Sequence, residues 1–463
     1  MASASRAAST GAAEHHRRPR IVIVGGGFGG ATCAQKLIRR FDRDEAEVVL
    51  LDRNNFFVFY PFLVEAGTGA LSPRHAVVGL RAFTRGGRFV MGEFVDADLE
   101  AQRIRYRPVG SPEPVEMDYD HLVLGLGSVT KLPPVPGLAE HGFGIKSIGD
   151  AIDLRDRAIR LLEQADITED PHLRRSLLHF VVVGGNFTGV ELVGELQVFL
   201  RRATRHYRNI AAGDIRMTLV EIADDILPGF DRDLSQFAVG SLRKRGIDVR
   251  LETTVSRIEE RRVVLDPEEE LHAATVIWAA GIAPSPVTQR LDLARDDRGW
   301  LLCDPELRVQ KHERVWALGD CAVNPDPQGD PYPATAQHAV GQGKALADNL
   351  LRVLRGQEPR PCVIESRGSL VALGCRTGVA RVLGIKLSGF PAWFLWRTVY
   401  LTKMPGWGRR ARVALDWTVD LLFGRDDVQM GWREPWPVAR KQARGGESVG
   451  LDPGGATAQP EGS

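Results

Sequence analysis

The sequence predicts an α/β fold in which one parallel-sheet unit occurs twice, followed by an amphipathic helical segment. Three observations carry that reading. The apolar run Ile21-Val22-Ile23-Val24 leads into Gly25-Gly26-Gly27-Phe28-Gly29-Gly30 and then a helical pattern through Leu37. Phe180-Val181-Val182-Val183 leads in the same way into Gly184-Gly185-Asn186-Phe187-Thr188-Gly189 and an amphipathic stretch from Val190. A third short strand, Val315-Trp316-Ala317-Leu318, ends in Gly319-Asp320 and belongs to neither copy. Short apolar runs that alternate with helical patterns mark a parallel sheet covered on both faces.

Composition sets the limits. The chain has 463 residues, 26% of them charged and 43% apolar, as in a soluble protein of two or three domains. A formal net charge of +1 gives no reason to expect nucleic acid as a partner. Five cysteines without a CxxC pair argue against a disulfide scaffold and against a metal site. The first residues are small, polar and basic and lack the apolar core of a secretory signal, so residues 1–19 are expected to be a disordered tail. The Gly-, Pro- and Arg-rich stretch 431–463 is expected to be a second one. No apolar run is long enough to span a bilayer as a helix.

The first unit has an intact GxGxxG turn. Gly25 permits the tight turn, Gly27 lets backbone approach a phosphate, and Gly30 allows close helix–strand packing. A second strand, 48–51, ends at Asp52, about twenty residues on, where an acid holds a ribose hydroxyl. The unit closes with Leu122-Val123-Leu124-Gly125-Leu126-Gly127-Ser128.

The second unit repeats each part. Gly184 and Gly189 hold the turn, the strand 217–220 ends at Glu221, and Val276-Ile277-Trp278-Ala279-Ala280-Gly281 closes it. Asn186 stands where the close-approach glycine is expected. Asparagine tolerates left-handed backbone, and its amide offers a donor in place of a backbone N–H, so the turn reads as a variant that still binds a dinucleotide. Matching offsets in both copies point to two Rossmann-like dinucleotide-binding domains.

The set GGGFGG, YDHLVLGLGS, VVVGGNFTGVE, WAAG and ALGD, in this order, resembles the two-dinucleotide flavoprotein superfamily. The stretches FFVFYPFLVEAGTGALSP, PGLAEHGFGIKSIGDAIDLRD, ATAQHAVGQG and SGFPAWFLWRTVYL narrow this to type II NADH dehydrogenases, single-chain NADH:quinone oxidoreductases. The resemblance covers residues 20–425. It implies non-covalent FAD in the first domain, an inserted domain for NADH, and transfer of two electrons to a membrane quinone without proton pumping. The implied FAD residues are Gly25, Gly27, Gly30, Asp52, Pro61, Gly127, Gly319 and Asp320. Those for NADH are Gly184, Asn186, Gly189, Glu221 and Gly281, with the Glu221 carboxylate accepting from the ribose 2′-hydroxyl and repelling a 2′-phosphate.

Three residues are implied in turnover. Glu191 sits on the first turn of the second unit's helix, near the nicotinamide and flavin, and otherwise merely complements the helix dipole. Gln337 and Gln342 match the quinone motif AQxAxxQ, where Gly341 and Gly343 suggest packing against a flat ring. The alternative for that motif is a plain helix docked on the FAD domain.

The implied domain limits are 20–155 and 293–355 for the two parts of the FAD domain, 156–292 for the NADH domain, and 356–430 for a C-terminal region. In that region Trp393, Phe394, Leu395, Trp396, Val399, Tyr400 and Leu401 form one helix, broken by Arg397. Val413, Trp417 and Leu421 stripe a second helix that begins with Arg409, Arg410 and Arg412. Tryptophans and arginines suit an interfacial anchor, and the same faces suit a homodimer. Peripheral attachment to the cytoplasmic side of a bacterial inner membrane follows from the resemblance. Two other readings stay open: a sulfide:quinone oxidoreductase, against which the lack of cysteines between Cys33 and Cys303 counts, and a flavin-bound membrane-peripheral sensor or scaffold with little turnover.

Overall fold

The computed structural model describes residues 18–42, 44–429 and 431. The expected tails lie outside them, except for residues 18, 19 and 431. Two sheets organise the chain. The first has seven strands in the order Val315–Ala317, His121–Leu124, Arg20–Val24, Glu47–Asp52, Arg88–Asp98, Arg103–Pro108 and Val115–Asp118. Its first five strands run parallel, and the last two add an antiparallel edge. The second has five parallel strands in the order Gly142–Gly144, Thr275–Trp278, His179–Val183, Arg216–Val220 and Ile247–Arg250.

The central strands are buried along their whole length, because helices pack on one face of each sheet and strand-and-loop segments on the other. Val315–Ala317 pairs with His121–Leu124, so the chain returns to the first sheet after completing the second. That return brings Asp320 beside the first glycine turn. The expected limit at 155/156 falls inside the helix Ile148–Ile167, and the second sheet already begins at Gly142–Gly144. A three-residue strand with two glycines carries too weak a pattern to be read from sequence.

The region after 356 contains more than two helices. Gly368–Gly374, Thr377–Val382 and Ile385–Gly389 form an antiparallel sheet. Its first strand alternates between two cores: Val371 and Leu373 join the core of the second unit, while Leu370 and Ala372 join that of the first. Successive strand residues point to opposite faces, so one strand ties the two units together.

The helices Phe390–Lys403 and Trp407–Phe423 follow. Ala392 and Trp396 point inward from the first, and Val413 and Trp417 from the second, each pair one turn apart. Of the expected stripe, Val413 and Trp417 face the core, while Leu421 on the last turn is 57% exposed. Arg397 also departs from the anchor reading. Its guanidinium lies 4.5 Å from the ring centres of both Trp393 and Trp417, facing inward. Among the described residues no helix is long and apolar enough to cross a membrane.

Candidate active site

The two glycine turns superpose in their chemistry. Gly25 and Gly184 both have positive φ, and a side chain on either would strike the strand beside it, Gly125 or Ala280. A Cβ on Gly30 would lie 1.9 Å from the Gly25 carbonyl oxygen, and one on Gly189 1.9 Å from that of Gly184. These four positions are therefore held to glycine by the backbone itself. The acids match as well. Asp52 accepts from the Gly26 and Asn54 N–H groups at 2.6 and 2.7 Å. Glu221 accepts from the Gly185 N–H and, at 2.9 Å, from that of Ala223. Each acid thus sits at the mouth of its turn, beside the open helix end. Burial pushes the Asp52 carboxyl up despite its two amide donors.

The turns differ at one atom group. Gly27 caps the helix Phe28–Arg40 without any side-chain bond, and nothing lies within 4 Å of where its Cβ would be. Its first-turn amides and the positive helix end face open space of the kind a pyrophosphate fills. This fit is what an FAD site requires.

Asn186 instead caps the helix Phe187–Ala203 with its own side chain: Oδ1 accepts from Gly189 N–H at 3.0 Å, and Nδ2 donates to the Ala279 carbonyl at 2.7 Å. Its φ is −75°, so left-handed tolerance is not what suits asparagine here. Its Oδ1 is spent on the cap and one Nδ2 hydrogen on Ala279, which leaves a single amide hydrogen that could reach a phosphate. The cap withdraws one orphan N–H and leaves those of Phe187 and Thr188 at the helix mouth.

The Gly-Asp turn closes on the first glycine turn from the other side. Gly319 has φ +69°, and Asp320 accepts from the Ser128 hydroxyl at 3.0 Å. Gly127, just before Ser128, also has positive φ and open space around it, as a backbone lining a ligand does. Gly281, its counterpart in the second unit, has φ +74° and packs on the Lys131 side chain. Pro61 begins a short turn, Tyr60–Phe62, whose Tyr60 ring is 44% exposed toward this region.

The glutamine motif lies on the helix Ala336–Leu354. Gln342 is buried, and its Oε1 accepts from the Gly319 N–H at 2.7 Å, so its carbonyl fixes the Gly-Asp turn while its Nε2 keeps the donors that a quinone or flavin oxygen would need. The two glycines are likewise explained by packing. A Cβ on Gly343 would come within 2.4 Å of the Gly29 carbonyl oxygen, and one on Gly341 within 2.8 Å of Ile364. The expected flat ring is a neighbouring helix. Gln337 is half-buried, one turn before Gly341, and its carboxamide makes no hydrogen bond among the described residues.

Glu191 is half-buried and hydrogen-bonded, not freely solvated at a helix end. Its Oε1 accepts from the Ala372 N–H at 3.2 Å and from Trp396 Nε1 at 3.0 Å, both in the C-terminal region. Burial dominates these two donors and raises its pKa to about 8. With both bonds on Oε1, a proton on this acid sits on Oε2.

Around it lies a buried network that sequence reasoning missed. Glu65 accepts from Trp417 Nε1 at 2.8 Å and pairs with Arg397 at 3.5 Å. Glu195, one turn after Glu191, pairs with Arg425 at 2.6 Å, and Arg425 also meets Asp420 at 3.3 Å. Burial also raises the Glu65 carboxyl. These partners are up to 352 residues apart, so no local pattern announces them.

Of the five free thiols only Cys375 is exposed. Cys33, Cys303 and Cys321 are buried, and burial raises the pKa of Cys321 to about 11. No group of three or more metal-ligating side chains occurs among the described residues.

Residues 19–343 match the family model described as pyridine nucleotide-disulphide oxidoreductase, and residues 367–426 match the NDH2 C-terminal domain. A demethylphylloquinone reductase of Synechocystis is 33% identical over 80% of this chain and 88% of its own length. An internal alternative NAD(P)H-ubiquinone oxidoreductase of Arabidopsis thaliana is 30% identical, over 86% and 83%. The type II NADH:quinone oxidoreductase of Mycobacterium tuberculosis is 29% identical, over 86% and 87%. Among solved structures, NDH2 of Plasmodium falciparum in complex with NADH superposes with a TM-score of 0.83 at 21% identity, covering 89% of this chain and all of that one. With both family models, relatives matched over most of their length and the doubled glycine turn, the chain belongs to the type II NADH dehydrogenases, within the pyridine nucleotide-disulphide oxidoreductase family.

Proposed function

We propose that this protein is an FAD-dependent NADH:quinone oxidoreductase that does not pump protons. The observation that carries the reading is Glu191. It lies on the second turn of the NADH-side helix Phe187–Ala203, yet its partners Ala372 and Trp396 lie in the C-terminal region, read here as the acceptor side. Donor side and acceptor side meet at one carboxyl.

FAD, when bound, accepts a hydride from NADH and passes the electron pair to quinone. The open helix end at Gly27 holds its pyrophosphate, Asp52 its adenosine ribose, and Asp320, steadied by Ser128 and Gln342, its ribityl arm. The Phe187 and Thr188 amides hold the NADH pyrophosphate, and Glu221 the ribose. Reducing a quinone to a quinol takes two electrons and two protons. The hydride brings one proton, so one more must come from the protein or solvent. Glu191, neutral below about pH 8, holds such a proton on Oε2.

Anaerobic mixing tests this. NADH is expected to bleach the yellow flavin, one per chain, and a soluble quinone to restore its colour. Gln337→Leu is expected to slow only the second half. Sulfide bleaching the flavin where NADH does not would overturn the reading.

Selectivity for NADH should rest on the second turn. Asn186→Gly loses a cap at a cost of only a few tenths of a kcal/mol and returns the Gly189 N–H to the phosphate. It is expected to tighten NADH binding severalfold in stopped-flow flavin reduction. Glu221→Ala is expected to relax discrimination against NADPH, since the repelling carboxylate is gone. Weaker NADH binding in Asn186→Gly would mean that the cap organises the site.

The exposed face of the C-terminal helices is read as a peripheral membrane surface. Phe390, Phe394, Leu422 and Phe423 are 57–82% exposed, with Leu383 and Ile385 on the preceding hairpin. Each side chain that enters the acyl region contributes about 1.5 kcal/mol or more. Changing all four to serine is therefore expected to weaken liposome binding by at least about a hundredfold while dye-linked turnover persists. Unchanged co-sedimentation, with loss of a dimer on sizing, would assign the face to self-association.

A further inference from the structure

Lys146 converges on the flavin side of the site from the crossover between the two units. Its Nζ donates to Ser128 Oγ at 2.9 Å, lies 4.0 Å from Asp320 Oδ2, and sits 5.5 Å from the centre of the Tyr60 ring. Those three partners come from three separated stretches of chain, each next to or including a residue that the FAD reading uses: Pro61, Gly127 and Asp320. An ammonium has three donors, and one is spent on Ser128. The Ser128 hydroxyl and the Tyr60 ring carry no charge. The Asp320 carboxylate faces the Lys146 ammonium at a distance too long for a hydrogen bond, while the Asp150 carboxylate accepts from the Lys146 backbone N–H at 2.9 Å.

Burial lowers the lysine pKa, and the Asp320 charge restores only part of that cost. The side chain is 30% exposed, two of its donors are unspent and its counter-ion is distant, so a second anion fits the same place. Hydride arrival on a neutral isoalloxazine brings two electrons with one proton, and so leaves one net negative charge there. The pyrophosphate, by contrast, is met by the Gly27 helix end.

We propose that Lys146 supplies the positive charge that stabilises the reduced flavin, as a catalytic residue in contact with the bound cofactor. This rests on the FAD reading above. The effect is differential: oxidised flavin gains little from the ammonium, and reduced flavin gains a charge-assisted contact. A lysine that merely tethered Asp320 would favour both redox states equally.

The test uses the full-length holoprotein and compares wild type with Lys146→Met, Lys146→Gln and Lys146→Arg. The two-electron midpoint potential is read by equilibration with a reference dye, and FAD affinity by fluorescence titration of the apoprotein. Lys146→Met and Lys146→Gln are expected to shift the reduction equilibrium about tenfold toward oxidised flavin, which is about 30 mV for a two-electron couple. Lys146→Arg is expected to recover most of the shift, and FAD affinity to change less than the potential. A midpoint potential unchanged in both neutral variants overturns the proposal, whatever happens to FAD affinity. Wild-type apoprotein that takes up no FAD would instead remove the FAD reading on which the proposal stands.

Discussion

Glu191→Gln is expected to remove a large part of the protein's loss of stability between pH 5 and pH 8. In the folded chain burial holds the Glu191 pKa up at about 8, against 4.5 as the ordinary value. Between those values the native state keeps a proton that the unfolded chain has released. Stability therefore falls as pH rises through this window, by up to about 1.4 kcal/mol per pH unit from this group. Below pH 4.5 both states are protonated and the term vanishes. Over the whole window it amounts to about 3 to 5 kcal/mol. Glutamine keeps the Oε1 acceptor for Ala372 and Trp396 but has no proton to lose.

The buried Glu65 is raised as well, so wild type and variant will share part of the slope. The difference between them isolates Glu191. Midpoint temperatures of both holoproteins at half-unit pH steps give the result. Parallel curves would mean that Glu191 titrates near its ordinary value and holds no proton at neutral pH. In turnover, the variant is expected to reduce flavin with NADH normally and to pass electrons to quinone more slowly. Wild-type quinone reduction is expected to decline above about pH 8, where Glu191 ionises.

What could be read in the sequence was what the backbone imposes locally. Gly25, Gly30, Gly184 and Gly189 leave no room for a Cβ, and Asp52 and Glu221 end strands at the mouths of those turns. Such constraints act within a few residues, so they show as a pattern. The returning strand Val315–Ala317 was legible because Gly319-Asp320 repeats the logic of a strand ending in an acid.

The side-chain roles were not local and were read less well. Gln342 has the composition of a ligand-binding residue, but it meets the Gly319 amide, which only the returning chain brings near. Gly341 and Gly343 signal a close approach without naming the neighbour, and the neighbours are Ile364 and the first helix's backbone. Asn186 was identified as unusual, yet sequence could not tell a side chain that reaches outward to a phosphate from one that folds back as a cap. The arginines of the C-terminal region look alike on paper. Arg397 and Arg425 turn into the protein because buried carboxylates wait there from residues 65 and 195.

Arg425→Met is expected to cost about 3 to 5 kcal/mol, the loss typical when one partner of a buried charge network is removed. Only 6% of the Arg425 side chain is exposed, and its partners Glu195 and Asp420 are 8% and 13% exposed. It also donates to the carbonyls of Thr68, at 3.2 Å, and Glu195, at 3.5 Å. Methionine fills much of the volume but leaves the buried Glu195 carboxylate without its cation, while Asp420 keeps Arg202 at 3.2 Å. The chain end after Trp407–Phe423 would then lose its hold on the helix Phe187–Ala203, and with it the seat that keeps Trp396 on Glu191. Quinone reduction is therefore expected to fall further than NADH-driven flavin reduction, since the NADH turn lies at the other end of that helix. The double variant Arg425→Met, Glu195→Gln removes the stranded charge along with the arginine. It is expected to recover most of the stability, as replacement of a whole buried ion pair often does. Recovery of stability without recovery of quinone turnover would assign the network to positioning the acceptor side. A single-variant cost below about 1 kcal/mol, the range of an exposed pair, would mean that water reaches Arg425 and that the C-terminal helices are held by their tryptophans alone.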